Sequence, residues 1–167
     1  MSKRTDDWQH ELDEILSVCE ERGRRPVELP HCAICVRFST DNLPFEALMS
    51  LLEVLPDELL PAALNAARRR LEGVRPDMCQ QQVSHVTLPV IMDSPGWLLV
   101  RSLSIDMADQ DILRFFDDQR FSNIAELTLL GFAYGGCEVR AEFADALFQS
   151  KQFPRLRTLL LHSIENT

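Results

Sequence analysis

The sequence lacks long apolar runs, and its first 25 residues contain no apolar segment. A secretory signal requires such a segment near the start, and a membrane-spanning helix requires roughly 18 consecutive apolar residues. The five cysteines are an odd number, so without an export signal we expect reduced thiols. These features predict a cytoplasmic protein with no membrane partner.

Basic residues are also in the minority. The chain has 17 Lys and Arg against 26 Asp and Glu, which gives a net charge of −9 and a pI of about 4.9. Non-specific binding to nucleic acid favours clustered cations, so we predict no nucleic-acid partner. The run Arg68-Arg69-Arg70 ends a predicted helix, where cations favour the negative end of the dipole, and we prefer that role to a nucleic-acid patch. The acidity suits a basic protein partner, although it also serves solubility alone.

Sequence motifs of known catalytic centres are missing as well. There is no Gly-x-Gly-x-x-Gly, no Walker phosphate loop and no Gly-x-Ser-x-Gly elbow. Asp106, Asp109 and Asp111 could hold a cation, but their spacing matches no Ca²⁺ loop, and we favour a solvated helix start. We therefore predict no catalytic residue, no metal and no cofactor.

Cys32 and Cys35 form a Cys-x-x-Cys pair next to His31. A zinc site needs about four ligands, and the second pair that usually completes one is missing. A thioredoxin-like centre would open a helix, whereas these residues lie inside a predicted strand, His31–Phe38. Of the three interpretations, zinc, redox centre and buried structural thiols, we favour the last.

What the sequence does contain is one pattern that occurs three times. The pattern is aromatic-x-x-apolar-x-x-Leu-x-apolar, found at Trp97–Ile105, Phe121–Leu129 and Phe153–Leu161. Repeated spacing of this kind marks units that bury their core only by stacking on neighbours. The last two apolar residues of each copy are two apart, so they share one side of an extended strand.

Helices are predicted around these strands. Asp109–Gln119 and Glu138–Ser150 carry apolar residues at helical spacing, and strands joined by such helices lie parallel. In the N-terminal half, the same spacing predicts helices at Asp6–Gly23, from Phe45 to Leu55, and from there to about Leu71.

Val83–Leu88 has the apolar spacing of the repeat, and we interpret it as a degenerate fourth copy. The next copy begins too soon for a helix between them. Pro89, Pro95 and Gly96 predict that the connection is irregular.

The three copies resemble leucine-rich repeats, whose core is Leu-x-x-Leu-x-Leu. The matching residues are Val100, Leu103 and Ile105, then Ile124, Leu127 and Leu129, then Leu156, Leu159 and Leu161. The family's Asn after the strand is missing. The resemblance implies an α/β fold, namely a short leucine-rich-repeat-like parallel strand-helix array with a helical N-terminal cap. We expect a single domain over 1–167, with 1–76 mostly helical and 83–167 leucine-rich-repeat-like. An ordinary α/β sheet with parallel strands is the alternative.

Leucine-rich-repeat proteins usually bind other proteins with the concave strand face. Carried over position by position, the resemblance implies nine partner-binding residues: Ser102, Ser104, Asp106, Glu126, Thr128, Leu130, Thr158, Leu160 and His162. His85 and Thr87 would join them if the fourth copy is real. Leu130 and Leu160 would form an exposed apolar patch unless the N-terminal half covers them.

Three functions follow as hypotheses. The first is a protein-protein interaction module without enzymatic activity, in its sharper form an acidic inhibitor or immunity protein that occludes a partner's active site. The second is an enzyme with a site built from Asp106, Asp109, His162 and Cys137. The third is an adaptor subunit of a larger assembly. In addition, the last strand is expected to be an open edge that contacts a partner or a second copy of the chain.

Overall fold

A computed structural model of the chain describes residues 3–24, 43–84, 87–106, 119–130 and 151–162. The predicted strand at 31–38, with its cysteine pair, and the predicted helix at 138–150 lie outside these ranges. So does the predicted helix at 109–119, apart from Gln119, which belongs to a 3₁₀ turn. Asp109, Asp111 and Cys137 also lie outside the described residues, as does His85.

The chain divides into two compact units. The helical unit comprises Met1–Cys79 and Ser94–Leu99, and the sheet unit comprises Gln80–Asp93 and Val100–Thr167. The sequence analysis placed 1–76 and 83–167 in two portions, and the helical unit also includes Ser94–Leu99 from the second of them. That the two units form a single domain stays a prediction.

Three α-helices of the described chain belong to the helical unit: α1 over Lys3–Arg24, α2 over Leu43–Val54 and α3 over Leu60–Leu71. They match the three predicted N-terminal helices. The break between α2 and α3 falls at Pro56, which cannot continue a helix, and Pro61 starts the next one, where its missing N–H costs nothing. The 3₁₀ turns Pro76–Cys79 and Pro95–Leu99 complete the described part of this unit.

The core of the helical unit is formed by the apolar faces of these helices. α1 packs against both α2 and α3, because its apolar residues recur every three or four positions. The fully buried side chains include Leu16, Cys19, Phe45, Leu48, Ala63 and Ala67. Gly23 lies against Val74, where a Cβ would stand 2.7 Å from the valine Cγ1, so close packing explains a glycine that the sequence marks only as a helix end.

The described part of the sheet unit contains four parallel strands in the order β1-β2-β3-β4. They are β1 over Gln80–Ser84, β2 over Ser102–Asp106, β3 over Glu126–Leu130 and β4 over Thr158–His162. Leu103 is in register with Leu127, and Leu127 with Leu159, as the repeat predicts. The structure is therefore α/β, with a helix-rich N-terminal part and an all-parallel sheet.

The fourth strand of the sheet exists, but the sequence interpretation placed it wrongly. The repeat pattern aligned Val86 with Leu103 and Leu88 with Ile105, whereas the structure pairs Gln81 with Leu103 and Val83 with Ile105. The expectation that no helix follows is also wrong, since a short α-helix, α4, spans Leu88–Met92. Leu88 is fully buried as the first residue of this helix and not as a strand residue.

The repeat has a recurring hydrogen-bond pattern. The N–H of Ile124 donates to the carbonyl of Phe121 (3.1 Å), and the N–H of Leu156 donates to that of Phe153 (3.2 Å), which explains the spacing between the aromatic and the next apolar residue. The two phenyl rings stack with centroids 5.0 Å apart. Trp97, the aromatic of the first copy, is buried as well.

A second recurring feature sits where each strand begins. The carbonyl of Arg101 accepts N–H bonds from Ala125 (2.8 Å) and Glu126 (3.1 Å) at the start of β3. The carbonyl of Ala125 accepts N–H bonds in the same way from Arg157 (2.8 Å) and Thr158 (3.2 Å) at the start of β4. The residue before β2 and the residue before β3 therefore each offer one forked carbonyl acceptor to the start of the next strand.

Candidate functional site

The predicted partner-binding residues occupy alternate positions of β2, β3 and β4. We call this side of the sheet the polar face, and it consists of the positions of Gln80, Gln82, Ser84, Ser102, Ser104, Asp106, Glu126, Thr128, Leu130, Thr158, Leu160 and His162. The other side, the core face, holds the leucine ladder, which consists of Leu103, Leu127 and Leu159 in register. This face is closed at Leu103, Ile105, Leu127 and Leu129, each 1 % exposed or less. Side-chain alternation along each strand produces this separation.

The register arranges the polar face in three rows across the sheet. The first row runs Gln80, Ser102, Glu126, Thr158, the second runs Gln82, Ser104, Thr128, Leu160, and the third runs Ser84, Asp106, Leu130, His162. Leu130 and Leu160 are consequently diagonal neighbours, because Leu130 is opposite His162 and Leu160 is opposite Thr128.

Three of the predicted contact residues are not displayed to solvent, and for them the expectation of an open face is wrong. Ser102 is 5 % exposed, Ser104 is 2 % and Thr128 is 1 %. In the second row these short hydroxyl side chains lie between the longer side chains of Gln82 and Leu160, with neighbouring strands only about 4.8 Å apart. The centre of the polar face is therefore closed to a partner.

Among the polar-face side chains that the structure describes, Gln82 on β1 and Thr158 on β4 are exposed, while Ser84, Glu126 and Leu160 are half-buried. Gln82 was missed by the sequence interpretation, because the displaced fourth copy put His85 and Thr87 on this face instead. A run of three glutamines carries no apolar alternation, so the pattern offered no signal there.

At the end of β1, Ser84 and Thr87 form reciprocal hydrogen bonds. The N–H of Ser84 donates to Thr87 Oγ1 (2.9 Å), and the N–H of Thr87 donates to Ser84 Oγ (3.3 Å). These bonds join the last residue of β1 to the residue that precedes α4. Thr87 is thus the residue before a helix and not a member of the third row.

The enzyme hypothesis required Asp106 and His162 to converge. Their positions end β2 and β4, and β3 runs between those two strands with Leu130 in the same row. Within the described ranges, no group of three His, Cys, Asp or Glu side chains is arranged to hold a metal ion.

Two thiols in the described part of the helical unit, those of Cys19 and Cys79, are fully buried, and neither forms a disulfide. Burial raises the pKa of the Cys19 thiol to about 11, against the opposing effect of the nearby Arg22 and Arg70 charges. A thiol in this state is protonated at neutral pH and is a poor nucleophile.

The surface charge is uneven around the last strand. Lys151, Arg155 and Arg157 precede β4 and are all exposed, and residues 151–162 contain no acid. By contrast, Arg120 before β3 is paired with Asp93 at 2.7 Å. The approach to β4 is therefore a cationic region in a chain of net charge −9.

Among the described helices, none combines the length and the apolar character needed to cross a lipid bilayer. No protein-family model matches this chain, and no curated protein and no solved structure matches it either.

Proposed function

We propose that this chain is a protein-protein interaction module, similar to a short leucine-rich-repeat array, that binds another protein through the polar face of its sheet. The observation that carries the proposal is the register of the four parallel strands. It arranges amide, hydroxyl and carboxylate side chains in straight rows on one face while the apolar ladder is buried on the other. Flat rows of this kind suit recognition of a surface and not of a small molecule.

The burial of Ser102, Ser104 and Thr128 changes which side chains make the contact. In the proposed mode the partner lies against the outer strands, touching Gln82 on one side and Thr158 and Leu160 on the other. Leu160 is the apolar anchor, since part of its aliphatic side chain remains accessible to a partner. Glu126, half-buried between them, contributes negative charge toward a basic partner.

The sharper form of the proposal is an acidic inhibitor, comparable to an immunity protein, that occludes a basic active site. The net charge of −9 supports it, because complementary charge speeds association and raises specificity. We place the chain in the cytoplasm on the support of two buried thiols that form no disulfide, Cys19 and Cys79. In this form binding should weaken as salt rises, because screening acts on exposed charges.

The test is co-purification of the tagged full chain from its native cells, in parallel with two face variants and one control. Leu160→Glu adds a charge where the apolar anchor lies, and Gln82→Arg repels a basic partner from the opposite strand. Val90→Glu is the control, because Val90 is 72 % exposed on α4 and outside the sheet.

We expect both face variants to lose the partner recovered with the unchanged chain, and Val90→Glu to retain it. The loss should be about tenfold in affinity for each face variant, as for removal of one interface anchor. Thermal unfolding of each variant shows that the fold is kept. Retention of the same partner by Gln82→Arg and by folded Leu160→Glu would remove the polar face as the binding surface.

A further inference from the structure

The outer edge of β4 is the most open part of the sheet. Among the described residues, β4 pairs with β3 on one side and with no strand on the other. Burial decreases from β3 to β4 in the three rows whose β4 side chain is described, those that end at Thr158, Leu159 and Leu160. Leu103 and Leu127 are fully buried and Leu159 is half-buried.

The same decrease holds on the polar face. Thr128 is 1 % exposed and its register partner Leu160 is half-buried. Ser102 is buried, Glu126 is half-buried and Thr158 is exposed. Both faces of the sheet thus end at β4 with side chains that a further strand would bury.

The outer edge of β4 also presents main-chain N–H and C=O groups at alternate residues. The N–H of Thr158 donates to the carbonyl of Ala125, just before β3. Because the main-chain groups of successive strand residues point to opposite sides, the N–H and C=O groups of Leu160 point toward β3. Those of Leu159 and Leu161 point to the outer side. The carbonyl of Arg157 occupies the place that Arg101 and Ala125 hold in the two preceding repeats. A further parallel strand would find there the same forked acceptor that β3 and β4 each find.

Charge then decides what kind of strand fits. Lys151, Arg155 and Arg157 are exposed in the segment that leads into β4, which contains no acid, and the acid on the neighbouring strand at this end is Glu126, opposite Thr158. A second copy of this chain that added its own β4 as a parallel strand would bring the same three cations to the end that already has three. Like charges brought together across an interface are unfavourable, whereas carboxylates at this end would be attracted.

We propose that the outer edge of β4 accepts an extended acidic segment of another protein as a fifth, parallel strand. The segment carries Asp or Glu residues at its N-terminal end, beside Arg155 and Arg157. Apolar residues follow at alternate positions, where they continue the leucine ladder beyond Leu159. Its main chain bonds to the carbonyl of Arg157 and to the outward groups of Leu159 and Leu161, as in other cases of strand addition.

The experiment uses a displayed library of short random peptides, selected against the unchanged full chain. The double variant Arg155→Glu/Arg157→Glu is the test protein. Arg68→Glu/Arg69→Glu is the matched control, since it makes the same charge change at two exposed arginines of α3 in the helical unit. One selected peptide is then synthesised, and its affinity for each protein is measured by fluorescence anisotropy.

We expect the selected peptides to share acids followed by alternating apolar residues. The synthetic peptide should bind Arg155→Glu/Arg157→Glu about tenfold more weakly than the unchanged chain, and Arg68→Glu/Arg69→Glu with little change. Hydrogen exchange should show that peptide binding protects the amides of Leu159 and Leu161. Selection without acidic enrichment, equal affinity for the two double variants, or no protection of those amides would each overturn the proposal.

Sedimentation of the unchanged chain without peptide tests whether a second copy of the chain occupies the outer edge of β4 instead. A mass of one chain is expected. A dimer whose assembly hides the Leu159 and Leu161 amides would show that a second copy fills the edge, and the proposed acidic partner would be wrong. The inference is independent of the polar-face proposal, because Gln82→Arg should leave peptide binding unchanged whichever partner the polar face has.

Discussion

The helical unit and the sheet unit differ in what they bury. In the described part of the helical unit the buried side chains are all hydrophobic, from Trp8 on α1 to Trp97 in its last 3₁₀ turn. In the sheet unit four polar side chains are buried beside the leucine ladder, and all four lie on the polar face: Gln80, Ser102, Ser104 and Thr128.

The difference shows that helices and central strands place their polar residues in different surroundings. A helix on a protein surface has one apolar stripe, and its polar residues reach water on the opposite side. A central strand has two faces. When both are covered, the polar residues that alternate with the apolar residues along the strand are buried as well. Period-two spacing therefore shows which residues share a face, but not whether that face is open. This is why the predicted contact residues were placed together correctly and three of them are nevertheless buried.

Among the tests of this comparison, substitutions of buried leucines should change the free energy of unfolding most. Leu127→Ala in central β3 removes a fully buried side chain and should lower the free energy of unfolding by about 3 kcal/mol. Leu16→Ala on α1, equally buried in the helical unit, should cost a similar amount. Leu159→Ala at the half-buried edge should cost clearly less, about 1 kcal/mol. Denaturant unfolding of the three variants measures these losses. Equal losses for Leu127→Ala and Leu159→Ala would show that the β4 edge is covered after all.

A smaller effect tests whether the polar face is closed at its centre. Ser104 and Gln82 are neighbours in one row, but Ser104 is 2 % exposed whereas Gln82 is in the exposed class. Ser104→Lys must bury a charge or open the face, so it should lower the free energy of unfolding by about 2 kcal/mol. Gln82→Lys is the matched control and should change stability by no more than about 0.5 kcal/mol. If thermal unfolding finds both substitutions equally tolerated, the polar face is as open at Ser104 as at Gln82.

Several parts of the fold could be predicted because the signals are local. Apolar residues at helical spacing identified α1, α2 and α3, and Pro56 marked the break between two of them. The leucines at 103, 127 and 159 identified three strands and their register, because the spacing within each copy is constant even though the distance between copies is not.

Other parts could not be predicted, for identifiable physical reasons. β1 contains Gln80, Gln81 and Gln82, which have no apolar alternation, and its pairing with β2 fixes its register instead. α4 is only five residues long, and Pro89 suggested a break where proline in fact starts a helix. The closure of the polar face at Thr128 depends on what surrounds a strand in space, which strand spacing does not encode.

The link between α1 and α3 is another non-local feature, and it yields the smallest expected effect. The Arg70 guanidinium donates to both carboxylate oxygens of Glu20 (Nε to Oε1 at 3.1 Å, Nη2 to Oε2 at 2.9 Å). It also donates to Asp13 Oδ1 and to Ser17 Oγ, each at 2.9 Å. The sequence interpretation explained this arginine by the helix dipole alone, since its partners lie about fifty residues earlier.

Arg70→Ala should lower the free energy of unfolding by about 1 kcal/mol at neutral pH, because the pair is partly exposed but bidentate. Arg70→Lys should recover only part of that loss, since an ammonium cannot form the fork. Arg69→Ala, an exposed neighbour on α3, is the control and should have little effect.

The pH dependence separates the ion pair from simple packing. Hydrogen bonding by Arg70 holds the pKa of Glu20 below its ordinary value, so the stabilisation is complete above the unfolded pKa of about 4.3 and is lost as the pH falls through the lower folded value. The difference between the unchanged chain and Arg70→Ala should therefore be constant from neutral pH down to about pH 5 and shrink below about pH 4. Urea unfolding at a series of pH values measures it. A difference that persists undiminished in acid would mean that Arg70 acts through the packing of its aliphatic stem and not through its ion pair with Glu20.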